Sequence, residues 1–202
     1  MTRTLPNPRW HASAALAVLT LLSTGLSAAR AQENVVELSV PDVELVDQDG
    51  HVAHFRSELI GERYAAITFI FTRCPTICPT LNGIFKRLQR EIPDRVGEDT
   101  VLLTLSVDPV NDIPERLKEH AERMGAAEGW SFLTGELDAV NRLLRSLEVY
   151  TPDFWDHAPT VYVVDGERDV WTRLYGFPSS DQIREVLDGY RHDRAVGREA
   201  GS

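Results

Sequence analysis

From Val35 to Val46 apolar and polar positions alternate (Val36, Leu38, Val40, then Val43 and Leu45), and the run ends at Gln48-Asp49-Gly50. Period-two alternation closed by Asp-Gly predicts a β-hairpin. Ala65 to Phe71 (AAITFIF) and Val101 to Val107 (VLLTLSV) are instead continuous apolar runs, the pattern of strands buried on both faces. Between them Leu81, Ile84, Phe85 and Leu88 fall at helical spacing behind Pro79, which suits a first helical position because its missing N–H has no partner to lose there. Asp112 and Glu115 read as the D-x-x-E start of a second helix through Leu117, Ala121 and Met124, stopped by Gly125. Trp130 to Leu133 is a short strand, and Leu137, Val140, Leu143, Leu144 and Leu147 form a third helical face. Thr160 to Val164 and Val170 to Tyr175 are strands around Asp165-Gly166, Ile183, Val186 and Leu187 belong to a closing helix, and the polar tail from His192 is expected to fray. The order, a hairpin followed by βαβαβαββα, predicts an α/β fold: a central, mainly parallel sheet with helices on both faces and an antiparallel edge hairpin. No internal repeat, linker or second domain is visible.

With 202 residues, 43% of them apolar, the chain is one domain with an appendage, and collagen-like, low-complexity and multi-pass membrane classes are excluded. The appendage is residues 1–31. Arg3 and Arg9 precede an uncharged apolar stretch from Ala12 to Leu26, and Ala29-Arg30-Ala31 fits the A-x-A cleavage pattern of a secretory signal peptide. The alternative is an uncleaved N-terminal anchor, for which Ala12 to Ala29 is barely long enough against the roughly 20 residues of a comfortable span. No cysteine follows the apolar stretch, so a lipoprotein anchor is not expected. Either way the body, 32–192 with a tail at 193–202, is expected outside the cytoplasm, in a bacterium the periplasm, where thiols can be oxidised. The body holds all 31 acidic residues and 18 of the 21 basic ones, a charge of −13 that disfavours nucleic acid and anionic lipid as partners. Membrane contact would come only through an uncleaved N-terminal segment, and a monomer is the default.

Cys74 and Cys78 are the only cysteines, and they lie in Thr72-Arg73-Cys74-Pro75-Thr76-Ile77-Cys78-Pro79, between a buried strand and a helix N-terminus. In open α/β sheets ligand sites sit at the carboxyl ends of strands. Helix N–H groups and Arg73 would stabilise a thiolate there, which serves disulfide exchange and metal ligation equally. A purely structural disulfide gains little from so small a loop, below the roughly 3 kcal/mol expected of a 15-residue one. A redox pair usually has C-x-x-C spacing, one residue shorter than this. A soft-metal site on two thiolates suits copper(I), with one imidazole to complete it. Among the histidines His51 and His54 flank a polar turn, His120 lies in a charged helix and His192 in the tail, all read as surface residues. His157 differs, because it precedes a core strand in Phe154-Trp155-Asp156-His157-Ala158-Pro159-Thr160, beside a carboxylate that could set its tautomer.

The segments TFIFTRCPTICPTL, LTLSVDPVNDIPERLKEHAERMG, WSFLTGELDAVNRLLRSL and DHAPTVYVVDGERDVWTRLYGF together resemble the Sco/SenC copper proteins, thioredoxin-like assembly factors for the copper A site of cytochrome c oxidase. The resemblance implies a thioredoxin-like fold, copper(I) or copper(II) held by Cys74, Cys78 and His157, and Asp156 as the acidic neighbour. It also implies delivery to the copper A domain of oxidase subunit II, and an exported thioredoxin-like reductase that keeps the dithiol reduced. The enzymatic alternative is a thiol–disulfide oxidoreductase in which Cys74 attacks and Cys78 resolves; a peroxiredoxin-type peroxidase shares the fold but matches the Cys-Pro pattern less well. Two positions depart from the family. Thr76 stands where an acidic residue is often found, and Pro159-Thr160 enters its strand as the cis-proline of thioredoxins does, so a cis Ala158–Pro159 bond, favouring a redox role, is expected.

Overall fold

The computed structural model describes Met1 and residues 33–200, so the expected signal at residues 1–31 lies outside the described residues except for Met1. Among the described residues no helix is long and apolar enough to cross a membrane. Eight strands form one sheet: β1 (Glu33–Val36), β2 (Glu44–Asp47), β3 (Val52–His54), β4 (Tyr64–Ile70), β5 (Thr100–Ser106), β6 (Trp130–Thr134), β7 (Thr160–Asp165) and β8 (Val170–Tyr175), in spatial order β1-β8-β7-β4-β5-β6-β2-β3. Among the described residues four α-helices complete it: α1 (Ile77–Glu91), α2 (Pro114–Met124), α3 (Leu137–Ser146) and α4 (Ser180–Ala200). Every residue of β4 and β5 is buried, which is why their sequences show no alternation.

The expected parallel sheet is found at the centre, where β4, β5 and β6 run parallel through the crossover helices α1 and α2. Elsewhere the pairs are antiparallel, because β7 returns beside β4 in the opposite sense, the β7–β8 hairpin is covered by β1, and the β2–β3 hairpin closes the other margin. The Asp49-Gly50 hairpin joins β2 to β3, with Gly50 at φ 85°. The alternation before it belongs to two separate strands, however: β1 pairs with β8 at one edge, and β2 pairs with β6 near the other. Pro41 lies between them, and a proline disfavours a continuous ladder there.

The C-terminal segment is helical through Ala200 rather than frayed from His192. Arg194 pairs with the buried Asp165 and with Glu167, Arg168 holds Asp165 at 2.7 Å, and Arg198 reaches Glu167 at 3.1 Å. These ion pairs pin the polar end of α4 to the β7–β8 turn.

α2 ends where Gly125 takes the left-handed conformation (φ 70°), as its sequence predicts. His120 is not a surface residue. It is 7% exposed, packs edge-on against Phe132, and meets the Asn82 carboxamide through Nε2 at 2.8 Å and the Arg123 guanidinium through Nδ1 at 3.3 Å. Burial, reinforced by the Arg123 charge, lowers its pKa. The unfolded chain therefore takes up a proton near pH 6.5 that the folded protein resists, so stability falls as pH drops below that value. Thermal melts between pH 7.5 and 5 should show a steeper loss for wild type than for His120→Gln; parallel pH slopes would contradict this account.

Candidate metal and redox site

The cysteine loop leaves the carboxyl end of β4. Phe71 follows the strand, its carbonyl accepts the Cys74 N–H at 3.1 Å, and residues 72–76 lead into α1. The helix begins at Ile77, two residues before the Pro79 start expected, so Cys78 sits inside its first turn and Pro79 still falls where an N–H would be unpaired. Thr76, at the N-cap position, offers no side-chain cap. The Cys74 sulfur takes that role, receiving the Cys78 N–H at 3.5 Å.

Both thiols are free, and their environments differ. Cys74 is partly exposed; burial opposes its ionisation, but the Cys78 thiol and the N–H groups of Cys78, Thr76 and Ile77 outweigh it, and the net pKa is lowered. Cys78 is 1% exposed, and burial, the neighbouring Cys74 sulfur and the Asp112 charge push its thiol far above the usual range. Arg73, expected to add positive charge to the thiolate, is engaged by Asp108 at 2.9 Å.

His157 follows a short 3-10 turn, Phe154–Asp156, and is 3% exposed. Its Nδ1–H donates to the Phe154 carbonyl at 2.6 Å, leaving Nε2 buried with no hydrogen-bond partner among the described residues. Asp156, the expected orienting carboxylate, is exposed and makes no bond to the ring, because the backbone carbonyl three residues earlier already occupies Nδ1. An imidazole fixed through Nδ1, with a free Nε2 lone pair, is the arrangement of a metal-ligating histidine.

Phe71 connects the two halves. Its backbone holds Cys74, while its ring meets His157 at 5.7 Å, Phe154 at 5.0 Å and Trp155 at 4.7 Å. Among the described residues no three His, Cys, Asp or Glu side chains are gathered tightly enough to enclose a metal ion. His51, His54 and His192 are exposed, as expected. No peptide bond among the described residues is cis, so Ala158–Pro159 is trans, contrary to expectation. In that form the Pro159 carbonyl accepts the Gly176 N–H (2.9 Å) and the Ala158 carbonyl the Thr160 hydroxyl (3.1 Å), adding to an intrinsic trans preference of about 0.5–1 kcal/mol. The support that a cis-proline would have lent the redox role falls away.

A thioredoxin-like α/β sheet thus carries, at one end, a dithiol at a helix N-terminus and a buried histidine. A family model described as SCO1/SenC matches residues 32–192. An SCO2-like protein of Rickettsia prowazekii is 36% identical over 187 residues, 86% of this chain and 88% of that protein. A Stutzerimonas stutzeri protein, named as a candidate copper-binding protein, is 34% identical over 111 residues; that match spans 55% of this chain and only 52% of the relative. Among solved structures, BsSco, described as a member of the Sco family of cytochrome c oxidase assembly proteins with a disulfide switch, superposes with a TM-score of 0.65 at 26% identity, covering 78% of this chain and 96% of that one. Arabidopsis thaliana ScoI with copper bound gives 0.64 at 21% identity, covering 76% and 98%. The chain belongs to the SCO1/SenC family.

Proposed function

We propose that this protein carries one copper ion on Cys74, Cys78 and His157 and hands it to the copper A site of cytochrome c oxidase subunit II. The observation that carries the reading is the buried His157 Nε2, which has no hydrogen-bond partner among the described residues while Nδ1 is fixed by Phe154. Two sulfurs and one imidazole form a soft donor set suited to copper(I), and kin named for copper support that cargo. The thiols must be reduced to ligate, so an exported thioredoxin-like reductase is an expected partner, and residues 1–31 would deliver the body to the compartment where it works.

A protein recipient fits the surface around the dithiol. Val110, Ile113, Trp155 and Phe177 are 45–68% exposed, and all lie in or beside the loops at the end of the sheet that bears Cys74. An apolar rim of this kind is the usual centre of a protein contact. The second reading, a thiol–disulfide oxidoreductase, is favoured by the asymmetry of the pair, since an accessible low-pKa Cys74 beside a shielded Cys78 suits attack and resolution. Mixing the copper-loaded protein with the reduced, copper-free soluble domain of subunit II separates the two. The proposal expects copper to leave this protein and appear in the recipient, measured by metal analysis after the two are separated. Disulfide reduction in an oxidised recipient with no transfer of copper would select the oxidoreductase.

A further inference from the structure

Asp112, expected to cap α2, does something else. The N-cap is Ile113, and Asp112 is fully buried beneath the cysteine loop. One carboxylate oxygen accepts the Thr72 hydroxyl (2.6 Å); the other accepts the Ser106 hydroxyl (2.6 Å) and the Thr72 N–H (3.1 Å). Thr72 begins the cysteine loop, and Ser106 is the last residue of β5. From the same turn, Asp108 takes the Arg73 guanidinium (2.9 Å) and the Asn111 amide (2.8 Å). The two residues before Cys74 are therefore each tied to an acid of the 108–112 turn, across the gap between β4 and β5.

All three groups that hydrogen-bond to Asp112 are donors. A carboxylate offers only acceptors, whereas an amide would set its own N–H bonds against one of them. We propose that Asp112 is a positioning residue for the Cys74–Cys78 pair: by fixing Thr72 to the end of β5 it holds the two sulfurs at the separation from which they close to a disulfide or grip a metal. The inference rests on Cys74 and Cys78 being the working dithiol, and it holds for either fate of that pair. Released from the clamp, the loop samples wider separations, and the effective concentration of one thiol at the other falls.

The test needs no copper. The full-length protein is equilibrated with glutathione and glutathione disulfide. The two cysteines lose two electrons and two protons to form one S–S bond, the S–S bond of glutathione disulfide breaks, and two glutathione thiols form. Alkylation and mass measurement give the dithiol and disulfide fractions. Asp112→Asn is expected to lower the equilibrium constant for disulfide formation about tenfold, equivalent to ~30 mV. Asp112→Glu, which keeps the carboxylate, should recover part of that loss. Leu143→Ala, in the buried face of α3, serves as a control that lowers the melting temperature without touching the clamp. An Asp112→Asn constant equal to wild type, or an equal shift in the Leu143→Ala control, overturns the proposal. If Asp112→Asn does not fold, Thr72→Val removes one of the three bonds and should shift the constant about threefold in the same direction; no shift there overturns it too. Absence of copper binding by wild type, with the Asp112 shift present, would remove the copper reading and leave the clamp standing.

Discussion

Replacing His157 by alanine is expected to weaken copper(I) binding by the reduced protein at least about 100-fold, since removing even a residue that only orients a ligand typically costs 10–100-fold. Of the five histidines in the body, His157 alone is buried with one ring nitrogen fixed by the backbone and the other unpartnered; His120 is buried too, but both its nitrogens face neighbours. The same substitution should lower stability by about 1–3 kcal/mol, because it removes the ring packed on Phe71 and the bond to Phe154, partly offset by removal of a buried nitrogen that has no partner among the described residues. Competition against a copper(I) chelator, with thermal melts of the copper-free proteins, separates the two effects. Asp156→Asn should leave the affinity near wild type, since that carboxylate does not touch the ring. Equal affinity in wild type and His157→Ala would remove the histidine from the site.

The two thiols are expected to react with iodoacetamide at rates differing by about 100-fold or more at pH 7.5, because the thiolate is the nucleophile and its fraction and accessibility differ in the same direction. Cys74 is partly exposed and ionises below the ordinary range. Cys78, in the first turn of α1, is buried and holds its proton. The Cys74 rate should rise with pH to a half-maximum below that of an unperturbed thiol, while Cys78 stays protected until the fold opens. Peptide mapping after timed quenching gives both rates, and denaturant should make them equal. Comparable rates in the folded protein would mean that the helix N-terminus does not discriminate between the two sulfurs.

Much of this architecture is local and could be read directly from the residues. Continuous apolar runs located β4 and β5, Asp-Gly pairs located two hairpins, and a strand that ends in Cys-Pro and leads into a helix located the dithiol. Interactions across long stretches of chain were not legible. The Asp112–Thr72 clamp joins residues 40 apart, whereas the local D-x-x-E pattern resembles a capping motif. The partner of His157 is a backbone carbonyl, which no side-chain pattern announces, and the adjacent Asp156 was the only visible candidate. His120 did leave a signal, because it shares a helical face with Leu117, Ala121 and Met124, but the charged residues around it obscured that face. The polar end of α4 looked frayed because its stabilising partners, Asp165 and Glu167, lie on a distant turn.

The claim that matters most is that two sulfurs and one nitrogen from this chain hold one copper ion. X-ray absorption at the copper edge, on the reduced protein loaded with one equivalent of copper(I), addresses it directly. The account predicts two sulfur scatterers and one imidazole nitrogen in wild type, with the imidazole signal lost in His157→Ala. A spectrum with sulfur alone in both proteins, or with no sulfur in wild type, would contradict it.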